Sequence, residues 1–223
     1  MSLKIRLVIA FFISAISILG FSLISLFISD RKINQFDHDV IQHIQGLESI
    51  GLTRTMKFFT TIGSAPVVTG LSLVLLIFLY KVLHHRLELI LFIGTVMGSA
   101  ILNELLKQFF HRVRPDLHRF IEVGGYSFPS GHAMNAFTVY GVVSFLLWRH
   151  IPNSWGRVLL IFVSVGMILS IGISRIYLGV HYPSDIIGGY FASGFWLTTA
   201  ILFFQFYMEK KYNKKHKREK EVA

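Results

Sequence analysis

Three short polar blocks contain residues that could together bind and cleave a phosphate ester. The blocks are KQFFHRVRP at 107–115, PSGH at 129–132 and SRIYLGVHYPSD at 174–185. Fixed cations can hold the oxygens of a phosphate dianion, and a histidine can act as nucleophile or as acid and base. Each block ends a long apolar stretch, where charged side chains are costly and usually functional. The side chains that could do this chemistry are Lys107, Arg114, His132, Arg175, His181 and Asp185.

The first block places two cations seven residues apart. If a helix persists from Lys107 to Arg114, the two side chains lie two turns apart on one face. Pro115 disfavours helical geometry at Arg114, so the chain turns there and can fold the guanidinium back beside the amine. The alternative is that these cations, with Arg112, only anchor a helix end by snorkelling.

The second block predicts a helix start that can receive an anion. Ser130 is a favoured N-cap residue, and Gly131 lets a ligand approach the backbone closely. Free N–H groups and the helix dipole attract negative charge to such an end. An ordinary capped helix is the alternative, although His132 is unusual in the first turn of an apolar span.

The third block pairs a histidine with a carboxylate. His181 and Asp185 are four residues apart, and Pro183 between them is typical of a first helical turn. The carboxylate can accept a hydrogen bond from one ring nitrogen, which leaves the lone pair of the other nitrogen for a substrate. Arg175 precedes the pair at the end of an apolar stretch. A capped helix with an aspartate near its N-terminus is the alternative.

The composition predicts an all-α integral membrane bundle. Of the 223 residues, 53% are hydrophobic and only 15% are charged, and the mean hydropathy is +0.58. A soluble domain would be less apolar and more charged. The first apolar run is too long for a signal peptide and lacks a cleavage site after it, so we expect it to be retained. Runs of roughly 20 residues predict six transmembrane helices, at about Leu7–Ile28, Pro66–Leu83, Leu87–Phe110, His132–Trp148, Arg157–Ser174 and Ser184–Tyr207.

Two segments outside the spans are also amphipathic or charged. Apolar residues repeat at helical spacing over 33–47, which predicts a short interfacial amphipathic helix between the first two spans. A wall or lid that guides a lipid headgroup is the alternative for this helix. Residues 1–209 are expected to form a single membrane domain, and residues 210–223 a basic cytoplasmic tail on anionic lipid heads.

The charge distribution predicts the orientation in the membrane. Six spans place both termini on one side, which carries 13 of the Lys and Arg residues against 9 on the other. The positive-inside rule then predicts cytoplasmic termini. All three blocks fall on the extracytoplasmic face, so one site can contain them. The chain has no cysteine, which excludes disulfides and thiolate chemistry, and no nucleic-acid motif accompanies its net charge of +10.

The three blocks resemble the signature motifs of the type 2 phosphatidic acid phosphatase superfamily. The matching patterns are Lys-x6-Arg-Pro, Pro-Ser-Gly-His and Ser-Arg-x5-His-x3-Asp, and every motif position is present. The resemblance covers residues 36–207. With its length and six spans, the chain is similar to the bacterial membrane branch, whose members act on phosphatidylglycerophosphate or undecaprenyl pyrophosphate.

The resemblance implies a mechanism for these residues. His181 would attack phosphorus and become phosphohistidine, Asp185 would orient it, and His132 would protonate the leaving group and then activate water. No metal or other cofactor would be needed. The groups implied to hold the phosphoryl oxygens are Lys107, Arg114, Ser130, Gly131 and Arg175.

The implied reaction is hydrolysis of a phosphomonoester or pyrophosphate headgroup on a membrane lipid. Phosphatidylglycerophosphate is the expected substrate, and undecaprenyl pyrophosphate is the alternative. A vanadium-dependent haloperoxidase shares the motifs but is soluble. A lipid-binding or transport protein without enzymatic activity would not need the two histidines and the carboxylate. The oligomeric state is left open.

Several residues near the blocks receive structural interpretations. Glu104 lies one turn before Lys107 and is expected to form a structural ion pair with it. The alternative is a buried acid that tunes Lys107 or relays protons. Gly94 and Gly98 predict close helix packing within the bundle. Four polar side chains are interpreted as solvated loop residues: His111, Arg112, Asp116 and His118.

Overall fold

The structure, a computed structural model, describes residues 3–81, 86–116 and 118–222. Within these residues, all regular secondary structure is α-helical. The expected all-α fold class is confirmed for these residues. Within helices, side chains are not described at 3, 4, 6, 75, 76, 78, 79, 86 and 215–222. The helices are α1 Leu3–Ser29, α2 Asn34–Gln45, α3 Ile50–Ile62, α4 Ala65–Lys81, α5 Arg86–Phe110, α6 Gly131–Trp148, α7 Ser154–Tyr177 and α8 Pro183–Val222.

Four of the described helices are long and apolar enough to cross a membrane, which confirms a multi-pass membrane protein. They are α1, α5, α7 and α8. Helices α3 and α4 together could supply one more span, bent by 55° at the break between them. The number of six spans stays a prediction, and the predicted end of the second span at Leu83 lies outside the described residues.

Helix α3 was not predicted from the sequence. It begins at an N-cap, where the Ser49 hydroxyl accepts a hydrogen bond from the Leu52 amide at 3.2 Å. It ends at Gly63, and α4 starts two residues later. Because α3 packs against α7, it brings its last turn beside Arg175.

Helix α6 lies at the centre of the bundle and contacts α5, α7 and α8, while α1 packs along α8. One apolar cluster joins α5, α6 and α8 toward the far end of the bundle; its buried members are Leu91, Phe92, Val142, Leu146 and Leu197. A second cluster joins α2, α6, α7 and α8 at the other end; its buried members are Ile41, Ala133, Ile176 and Ile186. The second cluster underlies the polar blocks.

The order of the helices brings the three blocks to one end of the bundle. The C-terminal ends of α5 and α7 meet the N-terminal ends of α6 and α8 there, as the hydrogen bonds between the blocks require. Helix α8 then runs away from this end without interruption to Val222, so the basic tail continues it.

The close approach of α5 to α8 provides a test of the packing. A Cβ added at Gly98 would lie 2.0 Å from the Trp196 ring, whereas a Cβ at Gly94, one turn earlier, would meet nothing within 4 Å. We expect Gly98→Ala to lower the free energy of unfolding by about 1–3 kcal/mol through overpacking.

Gly94→Ala is the matched control on the same helix. It should be neutral or stabilising by up to about 1 kcal/mol, because alanine is the better helix former. Thermal unfolding of both variants in detergent micelles measures the difference. Equal effects of the two substitutions would contradict this packing of α5 on α8.

Candidate active site

Backbone hydrogen bonds hold the second block against the third. The Ser130 amide donates to the carbonyl oxygen of Asp185 at 3.1 Å, and the Asn103 side-chain amide donates to the carbonyl of Pro129 at 3.0 Å. The Ser130 hydroxyl accepts from the Ala133 amide at 3.5 Å, so Ser130 is the N-cap of α6 as predicted. The start of α6 is therefore fixed between α5 and α8.

The carboxylate of Asp185 is fully buried and held by several donors. Its Oδ2 accepts from the Tyr182 amide at 2.8 Å and from the Ser127 hydroxyl. The Nδ1 atom of His181 lies 3.3 Å from the same oxygen, as the four-residue spacing predicts. His181 is only 2% exposed, so the ring and the carboxylate form a buried pair.

Arg114 determines which ring nitrogen of His181 carries the proton. Its Nη1 lies 3.1 Å from Nε2 of His181 and donates to the Val180 carbonyl at 2.8 Å. A guanidinium can only donate, so Nε2 must accept with its lone pair. The proton of the neutral ring is therefore on Nδ1 and faces Asp185. The lone pair of Nε2 faces the cationic side of the site.

Burial keeps the His181 ring neutral. Loss of hydration lowers its pKa from the ordinary 6.5 to about 4. The hydrogen bond and charge of Asp185 oppose this shift, whereas the charges of Arg175 and Arg114 add to it. Burial also lowers the pKa of Arg114, but a guanidinium remains charged at neutral pH. The site therefore holds a neutral imidazole beside cations.

Arg175 is a buried cation with an unused donor. It is 2% exposed, and its Nη1 donates to the Thr60 hydroxyl of α3 at 2.5 Å. Its Nε is buried and has no hydrogen-bond partner among the described residues. Buried polar groups are rarely left unpaired, and an anion bound in the site would satisfy this one.

Lys107 and His132 complete the group of predicted residues. A Cβ added at Gly131 would lie 3.8 Å from Nζ of Lys107, so the amine lies directly beside the start of α6. A Cβ at Gly63 would lie 3.4 Å from the ring of His132. His132 is also within electrostatic range of four groups of the site, namely Lys107, Arg114, Arg175 and His181.

The structure thus brings together every residue predicted for the site. Lys107 comes from the end of α5, and Arg114 from the loop after it. Residues 130–132 begin α6, Arg175 ends α7, and His181 and Asp185 lie before and within the first turn of α8. Together they form a partly buried, positively charged cluster around the neutral, oriented imidazole of His181.

The interpretation of Arg112 as a solvated loop residue is wrong. Its side chain is 11% exposed and donates to Asp185 Oδ1 at 2.6 Å and to Asp37 Oδ2 at 2.8 Å. Two buried carboxylates therefore draw the guanidinium inward. Glu104 accepts a hydrogen bond from Gln108 at 2.8 Å, and Lys107 lies within its electrostatic range.

Four polar residues of the site region were missed in the sequence analysis: Asp37, Thr60, Asn103 and Ser127. Thr60 contacts Arg175, and Ser127 contacts Asp185. Asn103 holds the Pro129 carbonyl, and Asp37 reaches the site through Arg112 and Ser184. Asp37 and Thr60 come from α2 and α3, far from the blocks in sequence. An asparagine within an apolar span, as at 103, is the signal that could have found one of them.

Comparison with known proteins identifies the family. Residues 88–209 match the PAP2 superfamily. The chain belongs to this superfamily. It is 34% identical over 142 residues to phosphatidylglycerophosphatase B of Bacillus subtilis, which covers 62% of this chain and 68% of that protein. It is also 34% identical over 120 residues to lipid A 1-phosphatase of Rhizobium johnstonii, covering 49% and 45% of the two chains.

A solved structure shows the same fold. The crystal structure of the transmembrane PAP2-type phosphatidylglycerolphosphate phosphatase from Bacillus subtilis superposes with a TM-score of 0.75 at 27% identity. The match covers 88% of this chain and 96% of the other. This PAP2 chain therefore has the membrane fold of that phosphatase, and the family resemblance drawn from the three motifs is confirmed.

The buried His181 ring provides a test that does not depend on turnover. We expect its pKa to lie near 4, so the ring should stay neutral from pH 8 to below pH 5. NMR of histidine-labelled protein in micelles measures this, with His181→Ala assigning the signal. A midpoint near the ordinary value of about 6.5 would contradict the buried, Arg114-bound ring.

Proposed function

We propose that this PAP2 membrane hydrolase of lipid phosphate esters removes the terminal phosphate of phosphatidylglycerophosphate to give phosphatidylglycerol. The observation that carries the proposal is the His181 ring, neutral and buried, with its Nε2 lone pair 3.1 Å from the Arg114 guanidinium. A lone pair surrounded by cations suits attack on a phosphate whose oxygens those cations hold. The names of the Bacillus subtilis relatives support this choice of lipid.

In the first step, Nε2 of His181 attacks phosphorus and the bond from phosphorus to the lipid oxygen breaks. The electron pair of that bond goes to the departing oxygen, and His132 gives it a proton. The proton on Nδ1 of His181 stays shared with Asp185, whose charge stabilises the phosphorylated ring. The products of this step are the alcohol lipid and a phosphohistidine.

In the second step, His132 takes a proton from water and the water oxygen attacks phosphorus. The nitrogen–phosphorus bond breaks, and its electron pair returns to Nε2 of His181. Inorganic phosphate leaves, and His132 again carries a proton. One residue thus acts first as acid and then as base.

Three cations balance the charge of the phosphate in both steps. Lys107 supplies a point charge, and Arg114 and Arg175 supply planar donors that match phosphate oxygens. The unpaired Nε of Arg175 is available for one such bond. As phosphate enters, an oxygen would accept from Nη1 of Arg114 and release Nε2 for attack. Ser130 and the amide of Gly131 complete the cradle.

We also propose the arrangement in the membrane that the sequence predicts. Six spans, the second of them predicted at Pro66–Leu83 and the fourth at His132–Trp148, place the site on the extracytoplasmic face and both termini in the cytoplasm. Helix α2 then lies at the interface beside the site. Lipid substrates would enter laterally from the outer leaflet.

The roles of the two histidines are separated by varying the leaving group. His181→Ala should lower kcat by at least about a thousandfold for all substrates, because no nitrogen remains to attack phosphorus. His132→Ala should lower kcat by about 100-fold or more for lipid phosphates but less for p-nitrophenyl phosphate, whose leaving group needs no proton. Steady-state kinetics in mixed micelles measure both. Equal losses on both substrates would contradict the acid role of His132.

A substrate panel tests the choice of lipid. Purified protein in mixed micelles should release phosphate from phosphatidylglycerophosphate with a kcat/KM at least about tenfold above that for undecaprenyl pyrophosphate, a difference of about 1.4 kcal/mol in transition-state binding. A reversed order would assign the chain to recycling of the cell-wall lipid carrier instead. Absence of phosphate release from every lipid, with folded protein, would contradict the proposed function.

A further inference from the structure

Arg112 is a largely buried cation whose donors are directed at carboxylates and not at the substrate side of the site. Its Nη1 donates to Asp185 Oδ1 at 2.6 Å and to the Ser184 hydroxyl at 2.7 Å. Its Nη2 donates to Asp37 Oδ2 at 2.8 Å. The guanidinium carbon also lies 4.1 Å from the centre of the Tyr182 ring, which covers one of its faces. The side chain is therefore enclosed by groups that hold it beside Asp185.

Asp37 comes from α2 and is 1% exposed. Besides Arg112, it accepts from the Ser184 amide at 2.9 Å and from the Ser184 hydroxyl at 2.6 Å. Asp37 thus binds the first turn of α8, one residue before Asp185. Its neighbour Ile41, one turn later on α2, is buried in the cluster beneath the site. Helix α2 is consequently docked on the site by one charged and one apolar side chain.

We propose that Arg112, held by Asp37 of α2, is a positioning residue that fixes the Asp185 carboxylate against Nδ1 of His181. The inference rests on the proposed function, since it assigns a role within that reaction. It makes α2 a structural part of the catalytic site and not only a helix at the membrane interface. The signature motifs do not assign a role to either residue.

The charges of this network explain why both partners are needed. Three buried ionic groups alternate in sign along the path from Asp37 through Arg112 to Asp185, and Asp185 then meets the neutral His181. Removing one partner of a buried ion pair leaves an uncompensated charge, which costs far more than removing both. Asp185 can therefore stay ionised in the dry interior because Arg112 is beside it, and Arg112 can stay buried because Asp37 is also there.

The network should be detectable in the titration of His181. The charged and titratable groups that face this ring or Asp185 come from every packed element: Asp37 of α2, Lys107 of α5, Arg112 and Arg114 of the following loop, His132 of α6, Arg175 of α7, and Tyr182 and Asp185 around the start of α8. In this set, Arg112, Asp37 and Tyr182 contact Asp185 or its cation without being proposed to touch phosphate or to titrate in the reaction. Of these three, Arg112 and Asp37 carry the charges of the network.

The two substitutions have opposite electrostatic signs. Arg112→Gln leaves the charge of Asp185 uncompensated, which favours the protonated ring and raises the pKa of His181. Asp37→Asn removes a negative charge, so the same pKa falls. The double variant Asp37→Asn with Arg112→Gln removes one charge of each sign and should return the titration toward that of the wild type. A residue with a merely structural role would not give this pattern.

The experiment measures kcat and KM from pH 3.5 to 8 on a lipid phosphate, together with the NMR titration of His181, for these variants of the full chain. We expect Arg112→Gln to lower kcat by about 10–100-fold, as for groups that orient catalytic side chains. KM should stay within about threefold of the wild-type value, since Arg112 does not contact the bound substrate. The midpoint on the acid side of the pH profile of kcat should move up by about one pH unit. Asp37→Asn should move it down.

Arg54→Gln, an exposed α3 residue with the same charge change, is the matched control and should leave both parameters unchanged. Arg112→Lys keeps the positive charge but loses the paired N–H donors of the guanidinium. It should therefore restore the acid midpoint of the pH profile more completely than it restores kcat. The inference would be overturned if the pKa of His181 shifted in the same direction in Arg112→Gln and Asp37→Asn, or if it stayed at the wild-type value in both.

Failure of the proposed function is distinguishable from failure of this inference. Without phosphate release by the wild type, the proposed function fails, and the NMR titration alone still tests the network. If the wild type turns over substrate but the single variants leave the His181 titration unshifted, only the inference fails. If a single variant does not fold, the kcat of the double variant decides. Its titration should be close to wild type in any case, but its kcat should be lowered because the Arg112 side chain that holds Asp185 is lost, and a wild-type kcat would contradict a positioning role.

Discussion

The buried carboxylate of Asp185 is the group on which the arrangement of the site depends. It is 0% exposed, and an ion in such surroundings is stable only when donors surround it. Arg112, Ser127 and the Tyr182 amide come from different parts of the chain to meet it, and His181 takes the remaining direction. Satisfying this one charge therefore brings the loop after α5 and the start of α8 into register.

The other side of His181 has the opposite charge balance. Lys107, Arg114 and Arg175 gather there without an ion pair to any carboxylate among the described residues, and Arg175 keeps a buried Nε that is unpaired within the same part of the chain. Cations held together in this way repel one another until an anion binds between them. A phosphate dianion would supply that charge, and its arrival would strengthen the packing of α5, α6 and α7 at this end of the bundle. Binding and local stability are thus coupled.

The sequence was sufficient to predict the parts of the site that depend on local residue spacing. The His181–Asp185 contact follows from one helical turn, the Ser130 cap follows from residue preference, and the ends of the apolar runs place the motif residues at one end of the bundle. Each of these features depends on residues that are close in sequence or on hydrophobic length. The all-helical membrane fold follows from the same runs.

The missed features depend on contacts that no local pattern records. Asp37 lies within the predicted interfacial helix, four residues from Ile41 on its buried side, and it faces a guanidinium 75 residues away in sequence. Helix α3 was missed although its residues repeat with an amphipathic helical period, and its place beside Arg175 depends on packing against α7. Arg112 resembled its solvated neighbours because its two carboxylate partners are distant.

The central claim is that phosphate reaches the lone pair on Nε2 of His181 and bonds there. The most direct measurement is to mix the protein with a lipid labelled in its terminal phosphate, quench within the first turnover in alkali, where phosphohistidine survives, and map the label by peptide mass spectrometry. The account predicts label on the peptide that contains His181 and none in His181→Ala. Label on another residue, or turnover with no trapped phosphoprotein under conditions that slow the second step, would contradict it.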